Sequence, residues 1–539
     1  MKKLVPSYIL AFVISFMLFI YEPVMMYSTN MNDFWFNLDI MITPVLTLCI
    51  ISTLIISSVF TLIYYINKKF SDKTKVYNIL FIITFIIFLA SYIQGNYLIK
   101  NLPSLDGSKI HWNKHLVDNI ITYVVWAIIT VSTITCIIKF KIENVIKSTK
   151  YISIAIFIML FVSAFTTILT TRVYAKRKIV ASTTINFNTA SKDKNFFIFL
   201  VDQVDARRFE KIVKTDEYKD TFEDFTYYPD TMSMYPYTRN SIPLILSGKP
   251  NENKTNFRNY YNNAMDNSKF INRLIEEDYN INIYENESNW TSKKSNIVSN
   301  KKSISSKIKI SNFTKQVLRY VGFKYLPYSL KKYSNIEKMD FNGNELTGGK
   351  DLFDWTLPEI YDDIQNNEVK VKEQKYFKFI HTEGAHVPFD IDKDLNSTKN
   401  GTYNDKMKAT LKVINAYLDR LKKYDIYDNS VIIILADHGY NFGKNLGRQN
   451  PILYIKGIDE HHEMYTSDKA ISHADLADAY LELLDGKTSE EIFEDIDDKR
   501  ERRYLSYRYL GEKHLIEYIQ TGKAWNLKTL KKTGKKYNR

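Results

Sequence analysis

The most restrictive feature of this 539-residue sequence is a series of five uncharged, apolar stretches within its first 171 residues. Each stretch is close to the length of about 20 residues that a helix needs to cross a hydrocarbon core. We therefore expect an integral membrane protein with a five-helix transmembrane domain at residues 1–171. The predicted spans are Leu4–Tyr21, Met41–Ile66, Val76–Ile99, Ile120–Ile138 and Tyr151–Thr171.

Lysines mark one side of the predicted transmembrane domain. Short loops that remain in the cytoplasm are enriched in Lys and Arg. Four lysines lie between the second and third spans, four more between the fourth and fifth, and two precede the first. We therefore expect a multi-pass plasma membrane protein with a cytoplasmic amino terminus and an extracytoplasmic domain after Thr171. The basic cluster at residues 172–178 disagrees with this orientation, but a long domain is translocated regardless of flanking charge.

After a polar linker expected at residues 172–194, short apolar runs alternate with helical patterns. Continuous apolar runs are typical of parallel strands that are covered on both faces. The alternation favours a doubly wound α/β domain at residues 195–485, in which sites lie at the carboxyl ends of the strands. The predicted strands are residues 195–202, 280–285, 375–384, 430–439 and 451–457, and predicted helices include Lys269–Asp278, Thr410–Tyr424 and His473–Leu484.

Two segments differ in composition from the rest of this part of the chain. Residues 286–350 are rich in Ser, Asn and Lys, contain an amphipathic stretch from Thr314 to Tyr333, and are expected to form an insertion near the site. Residues 486–539 begin with a charged, helix-like stretch and continue into a strand predicted at residues 502–510. We expect a small C-terminal subdomain there.

Charge and cysteine content exclude several classes of protein. The net charge is +13, but the basic residues are scattered and no nucleic-acid-binding motif accompanies them, so no nucleic acid partner is expected. An anionic envelope surface or a phosphate-bearing substrate explains the positive charge. Cys49 and Cys136 both lie in predicted spans, so no disulfide or cysteine zinc site stabilises the outer part. The near absence of charge within the spans argues against a transporter.

Acidic residues and one histidine follow two of the predicted strands. Asp202 ends the strand at residues 195–202, and Asp437 and His438 lie at the end of the apolar run that follows residue 430. Carboxylates and an imidazole that converge from strand ends form a site for one divalent ion, Mn, Zn or Mg. The alternative is that each acidic residue caps the helix that follows it.

Thr238 begins an apolar run that is expected to turn helical. A hydroxyl at a helix amino terminus lies near free N–H groups, so a metal can ionise it and it can hold a phosphate. The alternative is a threonine that only caps the helix. His386 and His473 lie at two other junctions, where an imidazole can donate to phosphate oxygens or protonate a leaving alkoxide. The nearby His381 and Glu383 have no assigned role.

The order of these motifs resembles the alkaline phosphatase and sulfatase superfamily: Asp at a first strand end, Thr before SIP, GAHVPF, ADHG and SHAD. With five spans, the chain is similar more narrowly to lipoteichoic acid synthases and lipid A phosphoethanolamine transferases. The resemblance in fold covers roughly residues 190–490. It implies a nucleophile and metal ligand, Thr238; further metal ligands Asp202, Asp437 and His438; phosphate-binding groups His386 and His473; and substrate-binding neighbours Arg239 and Asn240.

The sequence departs from this family pattern at two places. The membrane transferases usually carry Glu where Asp202 stands, and sulfatases carry two adjacent acidic residues there, whereas the next acidic residue here is Asp205. Asp205 is therefore left open as a second ligand, and a single ion is expected. A sulfatase also needs Cys or Ser in a C/S-x-P-x-R motif, which Thr238-Arg239 lacks, so hydrolysis of sulfate esters is not expected.

The sequence thus predicts a metal-dependent membrane phosphotransferase that moves a substituted phosphate from a lipid donor to a surface glycan or lipid through a phosphothreonine. The alternative within catalysis is an extracytoplasmic phosphoesterase or sulfatase-like hydrolase, with water as the acceptor. The alternative outside catalysis is a protein that binds an anionic polymer without turnover. Five spans favour transfer between membrane-held partners, because one anchor would suffice for a hydrolase.

Overall fold

A computed structural model of the chain describes residues 3–31, 34, 36–70, 74–99, 110–176, 180–215, 217–285, 290–303, 308–334, 352–441, 446–506 and 514–538. The chain forms two compact units. The helical unit comprises Met1–Ile179 and Ser303–Lys350, and the α/β unit comprises Val180–Lys302 and Asp351–Arg539.

Within its described residues, the helical unit has five helices that are long and apolar enough to cross a membrane. The second of them exposes Leu54, Ile55 and Leu62 by about 60% each, as a helix that faces lipid would. The five predicted spans are confirmed as helices, and most of the helices extend beyond the apolar stretch. Their bounds are Val5–Thr29, Leu38–Phe70, Lys75–Leu98, Trp112–Phe140 and Ile142–Thr171.

The amphipathic stretch predicted from Thr314 to Tyr333 forms two helices, Ile310–Tyr325 and Tyr328–Lys331. We expected this stretch to be part of an insertion near the site, but its contacts assign it to the helical unit. Phe313 and Val317 are fully buried in the same hydrophobic core as the membrane-crossing helices. The reason is physical, since the apolar face of an amphipathic helix is buried against whichever apolar surface it meets.

The main sheet of the α/β unit has seven strands among the described residues. Their bounds are β3 Asn195–Val201, β4 Thr226–Tyr227, β5 Asn280–Tyr284, β8 Tyr376–Thr382, β9 Ser430–Leu435, β10 Leu453–Lys456 and β11 Tyr465–Thr466. Across the sheet they lie in the order β11-β4-β10-β9-β3-β8-β5. The pairs β3-β8, β3-β9 and β5-β8 are parallel, as predicted.

Strand β10 departs from the prediction, because it runs antiparallel to both β9 and β4. All its residues are buried. A central strand has the same continuous apolar sequence in either direction, so the apolar run of residues 451–457 could not reveal the direction. The pairing of Leu453 with Leu435 places the start of β10 beside the end of β9.

Helices cover both faces of the main sheet, which confirms the doubly wound prediction. The odd-numbered residues from Phe197 to Val201 join a core with helix Tyr403–Lys423, and the even-numbered residues from Phe196 to Leu200 join a second core. Successive side chains of a strand point to opposite faces, so β3 is buried on both. The helices of this unit are Ala206–Val213, Thr238–Ser247, Phe257–Asp266, Lys269–Glu276, Leu357–Asn366, Tyr403–Lys423 and Leu476–Leu484, with one-turn 3₁₀ helices at Lys293–Ile297, His473–Asp475, Glu491–Phe493 and Leu527–Thr529.

Short strands occur at both ends of the α/β unit. Residues 172–194, predicted as a linker, contain β1 (Val180–Ser182) and β2 (Thr189–Ser191), which pair with β6 (Lys301–Ser303) and β7 (Lys370–Lys372). At the C-terminal end, three strands form a separate small sheet, and residues 507–510 of the predicted strand lie outside the described residues. These strands are β12 Arg502–Ser506, β13 His514–Gln520 and β14 Leu530–Asn538.

Candidate metal and phosphate site

Three of the predicted site residues come together where parallel strands end. Asp202 follows β3, and Asp437 and His438 follow β9, so both strands deliver their polar residues to one edge of the sheet. One ligand atom from each of the three side chains lies within 4.8 Å of the others. The His438 Nε2 atom is 3.8 Å from Asp202 Oδ1 and 3.3 Å from Asp437 Oδ2. The predicted convergence of these strand ends is therefore present.

The donor set of this cluster fits a divalent cation. Asp202, Asp437 and His438 are at most 2% exposed, and Asp202 Oδ1 and Asp437 Oδ2 have no hydrogen-bond partner among the described residues. Buried carboxylate oxygens without partners are costly, and most buried polar atoms in proteins are satisfied. Two carboxylates and one imidazole suit Zn, Mn or Mg. A cation at this position would satisfy both oxygens.

Backbone groups orient the ligands. The Asp437 Oδ1 atom accepts hydrogen bonds from the N–H of Gln203 (3.1 Å) and from its neighbour His438 (2.9 Å). The Nδ1 atom of His438 donates to the carbonyl of Gly439 (2.8 Å), which leaves the lone pair of Nε2 for a metal ion. The geometry of two ligands is thus fixed by the chain itself.

Thr238 is the first residue of helix Thr238–Ser247, and its hydroxyl faces the carboxylate cluster. The Oγ1 atom donates a hydrogen bond to Asp202 Oδ2 at 3.4 Å. The capping position belongs to Tyr237, so Thr238 does not serve as the helix cap. The positive end of the helix dipole is present at the same place. A hydroxyl between a helix amino terminus and a cluster of buried carboxylates has the surroundings of a nucleophile.

The charged groups of the cluster shift one another's pKa values. Burial by itself raises the pKa of Asp202, but the facing His386, His381 and His438 together lower this pKa below its ordinary value. Burial and the charge of Asp202 raise the pKa of Asp437. Two carboxylates that share a small buried space resist simultaneous ionisation, and a cation between them removes this conflict.

The pKa values of the two inner histidines, His438 and His381, shift in opposite directions. Burial lowers the pKa of His438, although Asp437 opposes this shift. Burial also lowers the pKa of His381, but the Asp202 carboxylate, whose Oδ2 lies 3.6 Å from His381 Nε2, acts together with Asp437 and Glu285 to outweigh burial, so the pKa of His381 is raised. His381, which had no assigned role, is therefore a direct neighbour of the cluster.

The two predicted phosphate-binding histidines have different surroundings. His473 is fully buried, its ring nitrogens have no partner among the described residues, and burial together with His438 lowers its pKa to about 3. His473 is thus neutral at pH 7 and has one N–H to donate. His386 is half-buried and donates from Nδ1 to the carbonyl of Val387 (2.5 Å), which leaves Nε2 for a ligand.

Arg239 and Asn240, the other predicted substrate-binding residues, each contact a residue outside the cluster. The exposed Arg239 places its guanidinium 3.9 Å over the ring of Phe257. The side chain of Asn240 is buried and accepts a hydrogen bond from Asn251 Nδ2 (3.0 Å). Their role in substrate binding remains a prediction.

Two acidic residues whose roles were open have other partners. Glu383 forms an ion pair with the buried Lys406 (2.6 Å) and accepts from the backbone of Leu357 (2.9 Å). Asp205 caps helix Ala206–Val213 by accepting from Arg208 N (3.2 Å). Both residues have structural contacts that explain them.

The sequence analysis missed Arg448 and Trp355. Arg448 donates to the carbonyl of Pro236 (3.3 Å) and lies 5.1 Å over the ring of Tyr237, beside the predicted nucleophile. The ring of Trp355 lies 5.3 Å from that of His381 and 5.8 Å from that of His386. Arg448 precedes β10, and an antiparallel assignment of that strand would have placed it at the site.

Several solved structures align with much of the chain. They include the lipoteichoic acid synthase LtaP from Listeria monocytogenes (13% identity, 65% of this chain and 87% of that chain, TM-score 0.35). A protein in the alkaline phosphatase superfamily from Vibrio parahaemolyticus is 13% identical over 67% of this chain and 81% of that one (TM-score 0.35). Ps i-CgsB is 13% identical over 61% and 83% (TM-score 0.41). Similarity at this level does not bear on activity.

The family comparison rests on the α/β part of the sequence. Among curated proteins, none matches this chain. The family model described as sulfatase matches residues 194–486, which is more than half of the 539 residues. The matched range contains Asp202, Thr238, Asp437 and His438. The chain therefore belongs to the sulfatase family of enzymes.

Proposed function

We propose that this protein is a membrane phosphotransferase that moves a substituted phosphate from a lipid donor to a cell-surface glycan or lipid through a phosphothreonine at Thr238. The observation that carries the proposal is the hydrogen bond from Thr238 Oγ1 to Asp202 Oδ2 (3.4 Å), at the start of a ten-residue helix. The nucleophile is a threonine rather than the Cys or Ser that a sulfatase needs, which favours phosphorus over sulfur as the reacting centre.

The residues of the site have complementary roles in this proposal. Asp202, Thr238, Asp437 and His438 would hold one divalent ion, which supplies positive charge that favours the ionised threonine hydroxyl. Thr238 Oγ1 forms a bond to phosphorus while the bond from phosphorus to the donor alcohol breaks, and that alcohol takes up a proton. Neutral His473 donates a hydrogen bond to the phosphate oxygens. His386 uses its Nδ1 N–H on the carbonyl of Val387, so it would donate to these oxygens from Nε2 as an imidazolium. An acceptor hydroxyl then displaces Thr238 and returns its proton to the site.

Labelling of Thr238 tests this proposal. The full-length protein, incubated with a phospholipid whose head group carries radioactive phosphorus, is expected to acquire label that mass spectrometry locates on Thr238. Thr238→Ser retains a hydroxyl and should retain labelling, whereas Thr238→Ala should lose it without loss of folding or membrane insertion. Labelling of the Thr238→Ala variant equal to wild type would overturn the proposal. Transfer of the label to water alone, with no acceptor product, would favour the hydrolase.

The proposed orientation places the amino terminus in the cytoplasm and the α/β unit outside. Within the helical unit, segment 308–334 contacts Glu22 late in the first helix, Gly95 late in the third and Asn119 early in the fourth. In an alternating bundle these three ends lie on one side of the membrane. The segment belongs to the part of the chain after Thr171, so that part starts on the same side.

Cysteine labelling on intact cells tests the orientation. In a background without Cys49 and Cys136, Ser311→Cys and Lys68→Cys each place one thiol at an exposed position. A membrane-impermeant maleimide is expected to label residue 311 on intact cells and residue 68 only after permeabilisation. The reverse pattern would contradict the proposed orientation.

A further inference from the structure

The first membrane-crossing helix contains a buried carboxylate, Glu22, that is fully inaccessible to solvent. Its Oε2 atom forms an ion pair with Lys324 Nζ (2.6 Å), and its Oε1 atom accepts a hydrogen bond from the hydroxyl of Tyr325. Both partners belong to helix Ile310–Tyr325 of the same unit. An ionisable residue inside a transmembrane helix, held by a named partner, marks a functional site by default.

Two irregular turns lie beside this carboxylate or its partner Tyr325. A π-helical turn, Met17–Tyr21, directly precedes Glu22, and a second one, Gln94–Leu98, ends the third helix. The ring of Tyr325 approaches within 2.4 Å of the position that a Cβ atom on Gly95 would take, so glycine permits this close contact. Turns of this kind are rare and are frequent at functional sites. The two turns and helix Ile310–Tyr325 therefore meet at one place.

The side-chain amide of Gln94, at the start of the second turn, lacks hydrogen bonds to the other described residues. Its side chain is fully buried, and neither its amide nitrogen nor its amide oxygen has a hydrogen-bond partner among the described residues. Burying an amide without partners is costly, because water no longer satisfies it. A ligand that both accepts and donates hydrogen bonds, such as a hydroxyl group, would remove this cost.

The charge of the neighbouring segment indicates an anionic ligand. Residues 308–334 contain six basic residues and no acidic one. The buried Lys331 binds the carbonyls of Phe323 and Lys324, while Lys315 and Lys332 are exposed. Exposed apolar side chains accompany these charges, for example Leu318 at 52% and Tyr333 at 75%. A basic amphipathic segment that is packed on membrane helices attracts anionic lipid.

We propose that the segment 308–334, together with the turn around Gln94, binds the head group of an anionic phospholipid that carries free hydroxyl groups. The basic segment balances the phosphodiester charge, and the Gln94 amide pairs with a head-group hydroxyl. The ion pair of Glu22 with Lys324 holds the segment on the bundle. This site uses the helical unit alone and does not depend on the proposed transfer reaction.

Lipid retention by the full-length protein tests the site without turnover. The Thr238→Ala variant is reconstituted in vesicles of phosphatidylcholine that contain an equal part of either phosphatidylglycerol or phosphatidylserine. The protein is then extracted in mild detergent, and its bound lipids are quantified by native mass spectrometry. We expect phosphatidylglycerol to be retained over both other lipids. Gln94→Leu should reduce this retention about fivefold, as the loss of one hydrogen bond would.

Matched variants separate ligand binding from folding. Ser153→Ala removes another buried, unpartnered polar group of the same unit and should leave retention unchanged. Lys315→Glu with Lys332→Glu changes only exposed positions, so the protein should fold normally but lose its preference for anionic lipid. Equal retention of phosphatidylglycerol and phosphatidylcholine by the parent protein, or an unchanged preference in the charge-reversed variant, would refute the site. Equal retention of phosphatidylserine and phosphatidylglycerol would refute the role of Gln94.

Discussion

The backbone N–H of Gln203, at the end of one central strand, donates a hydrogen bond to Oδ1 of Asp437, at the end of the neighbouring strand (3.1 Å). Because the N–H of His438 donates to the same oxygen, Oδ1 is fully used and Oδ2 alone is left for a ligand. The carboxylate is therefore oriented by the sheet before any ion binds. Such preorganisation is what a precise metal site requires.

The first prediction concerns Asp437→Asn. The asparagine oxygen can accept both backbone N–H groups in place of Oδ1, so the variant should fold. Its amide nitrogen then occupies the ligand position and cannot bind a cation, since it carries hydrogens and no negative charge. We expect loss of bound metal and a fall in transfer rate of about 100-fold or more. Elemental analysis of the purified protein and the lipid-labelling assay measure the two effects.

Asp205→Asn is the matched control for this change. Asp205 is a buried carboxylate near the same sheet edge, and its capping bond to Arg208 N can be made equally well by asparagine. We expect Asp205→Asn to retain its metal. If Asp205→Asn lost its metal to the same extent as Asp437→Asn, Asp205 would be a further carboxylate ligand and the predicted ligand set of Asp202, Thr238, Asp437 and His438 would be incomplete.

The second prediction concerns removal of the metal. Asp202 and Asp437 share a buried space, where burial and then the charge of Asp202 raise the pKa of Asp437. A bound cation relieves the repulsion between the two carboxylates only in the folded state, so it should stabilise the α/β unit by about 2.7 kcal/mol at a hundredfold excess over its dissociation constant. A chelator should therefore lower the thermal midpoint of the wild type in detergent, and restored Mn, Zn or Mg should raise it again.

The control for metal removal is the same measurement of the thermal midpoint, with and without chelator, on the Asp437→Asn variant. This variant lacks a ligand, so its thermal midpoint should not change when the chelator is added. An effect of the chelator on both proteins would show that it acts elsewhere, and no effect on the wild type would contradict a stabilising ion.

The direction of β10 shows why part of the site escaped prediction from sequence. Asp202, Asp437 and His438 could be found, because each follows an apolar run and the parallel arrangement places those ends together. Arg448, which precedes β10, could not be found, because the direction of a buried central strand depends on its partner strands and not on its own residues. The location of helix Ile310–Tyr325 could not be predicted for a related reason. Its periodicity shows that the helix has an apolar face, but not which surface covers that face.

The third prediction concerns the pH dependence of stability at His473. Its pKa in the folded protein is lowered to about 3 by burial and by His438, whereas an unfolded histidine has a pKa of about 6.5. As pH falls below 6.5, His473 binds a proton in the unfolded chain but not in the folded protein, so the free energy of unfolding falls. Between pH 7 and pH 5 the loss should be about 2 kcal/mol.

His473→Gln should remove this loss, because glutamine keeps a hydrogen-bond donor and does not titrate. The measurement is the difference in thermal midpoint between variant and wild type, which should become more favourable to the variant as the solution is acidified. His461→Gln, at a side chain that is 63% exposed, is the control and should follow the wild type at every pH. A pH profile of His473→Gln parallel to that of the wild type would contradict the buried neutral state.

The last prediction concerns the attachment of the C-terminal sheet. Arg502 of β12 and Asp230 form an ion pair (2.9 Å) in which both side chains are 1% exposed, and Asp230 also accepts from the N–H of Ala524 (2.6 Å). Asp230→Ala leaves a buried guanidinium without its counter-charge, which typically costs about 3–5 kcal/mol. Removing both charges with Asp230→Ala and Arg502→Met should cost less than the single change, because no isolated charge then remains buried.

Thermal unfolding of the full-length protein in detergent measures these costs. The exposed pair Lys487–Glu482 (3.1 Å) supplies the control, and Glu482→Ala should change stability by less than about 1 kcal/mol. If residues 486–539 were an independent subdomain, Asp230→Ala would leave the main transition unchanged and shift only a second, smaller one. The buried pair leads us to expect one shared transition, because β12 and the loop that carries Asp230 then unfold together.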